Sequence, residues 1–326
     1  MPDPLDVQLL YALQLDGRAP FSLIAEVLGV SDQTIARRYN RLRSSGLLRV
    51  RGLVEADRLG LRSWVIRVQC TPNAAAAVAE ALARRPDTAW ISLTSGGTEI
   101  ACVVRTRADD DDSHLLLDTL PRSRGVTGIT AQCVLHNYFY GVLSLVNKSG
   151  ALSPGQVAAL QPSADPRTAA PARVTADARV TAADSTLLTA LELDGRITHR
   201  DLATATGWSQ STVRRRIADL RASGMLYFDV DFHQSLLDLT ARAMVWLTVN
   251  PAQLGVAGEA MAGHPETAYV AAMTGAANLY ASVLSPSTEA LYTYLTTNIA
   301  QLPGLHEVET VLVMRTVKRS GLLTRP

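Results

Sequence analysis

Cysteine, aromatic side chains and long apolar runs are all scarce in this chain. Its three cysteines, Cys70, Cys102 and Cys133, stand singly in the first half without Cys-X-X-Cys spacing, which excludes a disulfide framework and leaves them as small core residues. The histidines His114, His136, His199, His233, His264 and His306 never pair at metal-ligand spacing. No phosphate-cradling glycine loop or nucleophile-elbow phrase occurs. No metal, cofactor or catalytic residue is therefore expected. No apolar run reaches bilayer-spanning length, and Met1-Pro2-Asp3-Pro4 lacks the basic and apolar regions of a signal peptide. A cytoplasmic protein with no membrane partner is expected. An excess of one charge is also missing. A formal net charge of +1 excludes little, because a global sum hides local segregation of sign. Arg37, Arg38, Arg41, Arg43, Arg49 and Arg51 crowd one stretch without an acidic residue, whereas Asp109 to Asp112 form a purely acidic run that reads as a solvated loop.

What is present is a repeat. Leu15-Asp16-Gly17-Arg18 returns as Leu193-Asp194-Gly195-Arg196, and the whole segment Asp6 to Leu48 returns as Asp184 to Leu226. Ala25, Gly29, Ser31, Thr34, Leu42 and Gly46 have counterparts at Ala203, Gly207, Ser209, Thr212, Leu220 and Gly224. Two halves of about 150 residues can each bury a core, and the Ala-, Pro- and Ser-rich stretch 148–182 reads as a linker between them. The predicted organisation is a first winged helix-turn-helix over 1–60, a ferredoxin-like domain over 61–147, the linker, a second winged helix-turn-helix over 183–240 and a second ferredoxin-like domain over 241–326.

Each copy opens with apolar residues at helical spacing, Leu5 to Leu15 and then Ser22 to Leu28, separated by a turn at Gly17. Ser31 is a good N-cap for a third helix running to about Ser45. Ile35, Tyr39 and Leu42 share one stripe of that helix, as do Val213, Ile217 and Leu220 in the second copy. Opposite the stripe lie Gln33, Thr34, Arg37 and Arg41, matched by Ser211, Thr212 and Arg215, with Arg38 and Arg216 on the flank. A polar, arginine-bearing face on an isolated helix is usually just solvated. Here three helices, a tight turn and the same features in both copies point to a helix-turn-helix whose third helix enters the major groove of double-stranded DNA. The expected DNA-binding set is Ser31, Gln33, Thr34, Arg37, Arg38 and Arg41 with Ser209, Ser211, Thr212, Arg214, Arg215 and Arg216. Arginine there can pair bidentately with guanine. The β-prone runs Leu47 to Val54 and Met225 to Phe232 predict a wing after each third helix. Arg49 and Arg51 are phosphate candidates in the first wing, replaced by Tyr227 and Asp229 in the second.

Beyond each wing the order is strand-helix-strand-strand-helix-strand, from Ser63 to Leu135 and again from Ala243 to Met314, so the fold class is α+β with a ferredoxin-like unit in each half. One helix is expected from about Asp112 to Leu120. Met244 and Trp246 lie on a strand face that such a unit leaves open, and the other half's sheet is the predicted cover, giving an intrachain pseudo-dimer with self-association through these sheets. Ser95-Gly96-Gly97 and Thr274-Gly275-Ala276 occupy equivalent strand connections and read, by themselves, as hairpin turns.

The Leu-Asp-Gly-Arg openings, Ser31-X-X-Thr34-Ile35-X-X-Arg38 with Gly46-Leu47-Leu48, and Ser209-X-X-Thr212-Val213-X-X-Arg216 with Gly224-Met225-Leu226 resemble the Lrp/AsnC family of transcription regulators. The resemblance covers nearly everything outside the linker. It implies that the ferredoxin-like units are effector-sensing (RAM) domains and that the glycine loops help to bind a small effector, typically an amino acid. The candidates it implies are Ser95, Gly96, Gly97 and Glu99 in copy one and Thr274, Gly275 and Asn278 in copy two. The family's acidic loop position is kept as Glu99 but is neutral at Asn278, so the two loops are not chemically equal. Duplication also departs from the usual single-copy member, and it predicts an imperfect palindrome as operator. Duplicated chains of this architecture also resemble the sirohaem decarboxylases, the enzymatic alternative, although no histidine-rich phrase accompanies the glycine loops. An effector-free architectural DNA-binding protein is the third reading.

Overall fold

The computed structural model describes residues 2–54, 60–107, 119–139, 150–161 and 180–319; the acidic run, the helix expected to begin near Asp112 and most of the predicted linker lie outside them. The chain forms two compact units, one built from residues 1–59 and 142–238 and the other from 60–141 and 239–326. Like modules of the two halves are thus gathered together.

In the first unit, helices α1 (Pro4–Leu15), α2 (Phe21–Leu28) and α3 (Asp32–Ser44) are followed by strand β1 (Leu48–Val54). Local chemistry sets these limits. Gly29 closes α2 in the left-handed region at φ 68°, and the Ser31 side chain accepts from the Thr34 amide to start α3. Within the predicted linker, α5 (Pro154–Leu160) opens with a capping box between Ser153 and Gln156. Leu152 and Leu160 are buried, and the Gln156 amide donates to the Val27 carbonyl at 3.0 Å. This part of the predicted spacer is therefore packed structure. The second copy supplies α6 (Ser185–Leu193), α7 (His199–Thr206), α8 (Gln210–Ala222, capped by Ser209) and β6 (Leu226–Phe232).

The two wings are not separate. β1 pairs antiparallel with β6, from Leu48 opposite Phe232 to Val54 opposite Leu226, so each strand finds its partner in the other copy instead of in a hairpin of its own. The reason is burial: Leu48, Val50, Leu226, Phe228 and Val230 all enter one core shared with Leu9, Leu13, Ile35, Leu191 and Val213. Keeping the strands together removes these side chains from water at roughly 1.5–3 kcal/mol each.

The repeated Leu-Asp-Gly-Arg phrase is the clasp of that seam. Arg18 donates to the carbonyls of Gly195 and Ile197 at 2.7 and 3.1 Å, and Arg196 donates to those of Gly17 and Ala19 at 2.7 and 2.9 Å. Asp16 pairs with Arg221 and Asp194 with Arg43, again across the copies. The glycines permit close approach. A Cβ at Gly17 would stand 2.8 Å from both Phe228 and Val50, and one at Gly195 would stand 2.8 Å from the Arg51 backbone.

The second unit contains β2 (Leu61–Cys70), α4 (Ala75–Ala83), β3 (Thr88–Thr94), β4 (Glu99–Arg107) and β5 (Val126–Phe139) from the first half. The second half adds β7 (Ala241–Val249), α9 (Leu254–Gly263), β8 (Thr267–Met273), β9 (Leu279–Ser285), α10 (Thr288–Thr297) and β10 (Leu305–Lys318). The two four-stranded sheets close into one barrel in the order β10-β3-β4-β2-β5-β8-β9-β7. Ladders β5–β8 and β10–β3 join the halves. One face of each sheet packs on helices, as with Ile66, Val68 and Ile100 under α4, or Val245, Leu247 and Leu279 under α9 and α10. The opposite faces meet inside the barrel, where Met244 and Trp246 pack with Val65, Ala101, Met273, Tyr280 and Val311, which supplies the partner their strand required. No helix among the described residues is long and apolar enough to cross a membrane.

Candidate nucleic-acid interface and sensing loops

Helices α3 and α8 bury the predicted stripes, Ile35, Tyr39 and Leu42 in one and Val213, Ile217 and Leu220 in the other. Their opposite faces divide into two groups. Gln33, Arg37, Ser211, Arg214 and Arg215 are exposed, and among the described residues the three arginines have no side-chain partner. Arg38, by contrast, is held by Asp3 and Asp6 at 2.6 and 2.7 Å, and Arg216 is clamped by the buried Asp184 at 2.7 Å. These carboxylates raise both guanidinium pKa values further. Arg38 and Arg216 therefore brace the third helix against the start of its own copy. Arg41 also bonds Asp6, although its side chain stays more than half exposed. Ser31 and Ser209 are turned onto their own helices as caps, and Thr34 and Thr212 are half-buried beside them.

Arg49 is exposed on β1, but Arg51 is fully buried, bonded to the Glu192 carbonyl and carboxylate at 2.9 and 3.1 Å and to Asp231 at 3.4 Å. Arg51 is thus unavailable to phosphate. Its neighbours had left this open in the sequence, because the acidic partners come from the other copy.

His199, in the first turn of α7, stands where copy one has Phe21. Burial, and then the Arg18 and Arg214 guanidiniums, hold its pKa below the ordinary 6.5. The unfolded chain takes up this proton near pH 6.5 while the folded chain resists it, so stability is full above that pH and declines as pH falls toward the lower folded value. His199→Phe is expected to flatten the melting temperature against pH between 5 and 7; an unchanged slope would show that other groups carry it.

In the second unit the glycine loops sit at equivalent strand connections. Ser95, Gly96 and Gly97 all have positive φ, and all but the half-buried Gly97 are exposed. Glu99 itself is buried and already occupied: it accepts from Arg67, Thr94 and Ser95. Arg67 also forms a two-pronged pair with Glu309 of the other half at 2.6 Å and lies 4.3 Å over the Trp246 ring. In the second loop, Asn278 bonds the Val249 amide and carbonyl at 2.9 and 2.7 Å, while Thr274 receives the Cys133 amide and Gln132 donates to Thr274 and Ala277. Both the Glu99 and Asn278 side chains are thus engaged within the protein. Glu99→Gln is expected to cost about 2 kcal/mol in chemical denaturation, the weight of a charge-assisted bond; no loss would mean the carboxylate is not committed to Arg67. Sequence reasoning had no signal for Arg67 or Gln132, whose partners lie on distant strands. Among the described residues no three His, Cys, Asp or Glu side chains gather as a metal site, and burial pushes the Cys102 thiol up to about 12.

Paired helix-turn-helix modules with outward, unpaired arginines, accompanied by a barrel of two ferredoxin-like sheets, define a helix-turn-helix transcriptional regulator. Residues 3–43 and 180–221 match the AsnC-type helix-turn-helix domain, and residues 242–323 match the Lrp/AsnC ligand binding domain. An uncharacterized HTH-type transcriptional regulator of Pyrococcus furiosus is 32% identical over 128 residues, which cover 39% of this chain and 86% of that protein. HTH-type transcriptional regulator FL11 of Pyrococcus horikoshii is 27% identical over 138 residues, 42% of this chain and 91% of that protein. The chain belongs to the Lrp/AsnC family. Among solved structures, the sirohaem decarboxylase NirDL superposes with a TM-score of 0.64 at 14% identity, covering 98% of this chain and 93% of that one, a likeness of fold alone.

Proposed function

We propose that this regulator is a covalently fused dimer that reads an imperfect palindrome in double-stranded DNA, with α3 and α8 each in a major groove. The observation that carries this reading is the division among the arginines. Arg37, Arg214 and Arg215 point outward without side-chain partners among the described residues, while Arg38 and Arg216 hold the helices in place. The unlike sequences of the two helices, Asp32-Gln33-Thr34 against Gln210-Ser211-Thr212, suit unlike half-sites one helical turn or a multiple apart. Such a regulator acts in the cytoplasm on chromosomal DNA. An amino acid or related metabolite is the proposed effector, bound at the backbone of the loops at Ser95 to Gly97 and Thr274 to Gly275, and further self-association through the sheets accompanies it.

Selection of bound sequences from a random double-stranded library tests the reading. A two-part motif is expected, with affinity falling steeply as salt rises. Salt-sensitive binding without a motif would favour an architectural role. The enzymatic reading draws on the whole-chain likeness to NirDL. Incubation with sirohaem followed by an absorption scan decides it, and an unchanged spectrum is expected here.

A further inference from the structure

The barrel interior contains polar groups that its own residues leave unanswered. Arg242 lies on β7, in alternation with Met244 and Trp246, whose side chains pack inside the barrel. Among the described residues its guanidinium has one side-chain partner, the Thr316 hydroxyl at 3.3 Å, and no carboxylate. Thr316 stands directly opposite Ser92 in the β10–β3 ladder, and Ser92 stands opposite Ala101, a member of the interior cluster. Side chains opposite each other in a ladder project from the same face, so Arg242, Thr316 and Ser92 share one interior patch. Ser92 is fully buried, and its hydroxyl has no hydrogen-bond partner. Burial holds the Arg242 pKa below the ordinary guanidinium value, with the nearby Arg319 acting in the same direction.

Among the described residues half-buried Arg242 lacks a counter-charge, and a fully buried hydroxyl beside its partner lacks a bond. Each costs free energy that an apolar residue would not. The first copy does not repeat the arrangement: Ser63 stands where copy two has Arg242, and the Asn137 amide carbonyl, near the place of Thr316, accepts from Tyr269 at 2.7 Å. The unanswered donors are therefore a feature of one side of the barrel.

We propose that the barrel interior is a binding site for the carboxylate or phosphate group of a small metabolite, gripped by Arg242, Ser92 and Thr316. An oxyanion supplies what the patch lacks, a negative charge for the guanidinium and an acceptor for the Ser92 hydroxyl. The site requires neither DNA nor the glycine loops, so it is independent of the proposed DNA-binding function.

Thermal melting of the full chain in sodium acetate or sodium phosphate, against sodium chloride at matched ionic strength, tests it. A saturable rise of about 5 °C over chloride is expected with at least one of the two salts. A response to acetate alone assigns a carboxylate, to phosphate alone a phosphate ester, and to both the shared oxyanion chemistry. Arg242→Met is expected to melt no lower than the natural chain in chloride and to lose the anion response, and Ser92→Ala to need more anion for the same rise. Absence of any rise over chloride, an equal rise in Arg242→Met, or a lower melting point or failure to fold of Arg242→Met in chloride would each overturn the proposal.

Discussion

Replacing Arg51 by Ala is expected to destabilise the first unit by about 3 kcal/mol, measured by urea unfolding of the full chain. The side chain has no exposure, and it gathers Glu192 and Asp231 around one guanidinium at the seam between the two copies. Removing one partner of a buried pair typically costs about 3–5 kcal/mol. The lower end applies here because Glu192 is 45% exposed and regains water once the arginine is gone. The register adds a second consequence. Arg49 lies opposite Asp231 and Arg51 opposite Asp229, so β1 is the basic strand and β6 the acidic one. Pairing β1 with a second β1 would set arginine against arginine, and pairing two β6 strands would set aspartate against aspartate. Like charges directly opposite are unfavourable in a ladder. Arg51→Asp is therefore expected to lose more stability than Arg51→Ala, and adding Asp229→Arg to recover part of it. No recovery would mean that packing, and not charge, selects the partner strand.

Combined replacement of Arg37 and Arg215 by Ala is expected to weaken specific DNA binding by about 2–6 kcal/mol. Each lost base contact is worth about 1–3 kcal/mol, and separated contacts add. Both side chains are exposed, so the melting temperature should hardly move. Arg38→Ala is the informative contrast. Its guanidinium is bound to Asp3 and Asp6, and its loss should lower stability first and DNA affinity only through that. Binding isotherms for selected and scrambled sites separate the outcomes. A uniform loss on both sites would make Arg37 and Arg215 phosphate contacts, whereas an unchanged affinity for the selected site would remove them from the interface.

Much of the fold was legible because it depends on neighbours along the chain. The cap at Ser31, the stripe of Ile35, Tyr39 and Leu42, and the alternation through Trp64, Ile66 and Val68 are periodic signals written within a few residues. The open face at Met244 and Trp246 even announced that a second sheet was needed. The wings were read less well. Leu47 to Val54 displays its strand character in sequence, but a strand's partner depends on who else has an unpaired edge, and β6 lies nearly 180 residues away. The same limit governs the arginines. Arg37 and Arg38 are adjacent and chemically alike, yet only Arg38 meets Asp6, since 100° of helix rotation turns one toward α1 and the other away.

The sequence by itself determined that one module occurs twice, where its helices begin and end, and which faces turn inward. Those properties follow from backbone propensity and apolar spacing, which are local. Tertiary structure alone decided that Leu-Asp-Gly-Arg is a clasp between the copies, that Arg51 and Glu99 are sealed in ion pairs, and that, among the described residues, Arg242 faces the barrel interior without a carboxylate and Ser92 without a hydrogen-bond partner. Hydrogen bonds and ion pairs are short-ranged in space and indifferent to separation along the chain, so their partners become identifiable only when the strands and helices that carry them are brought together.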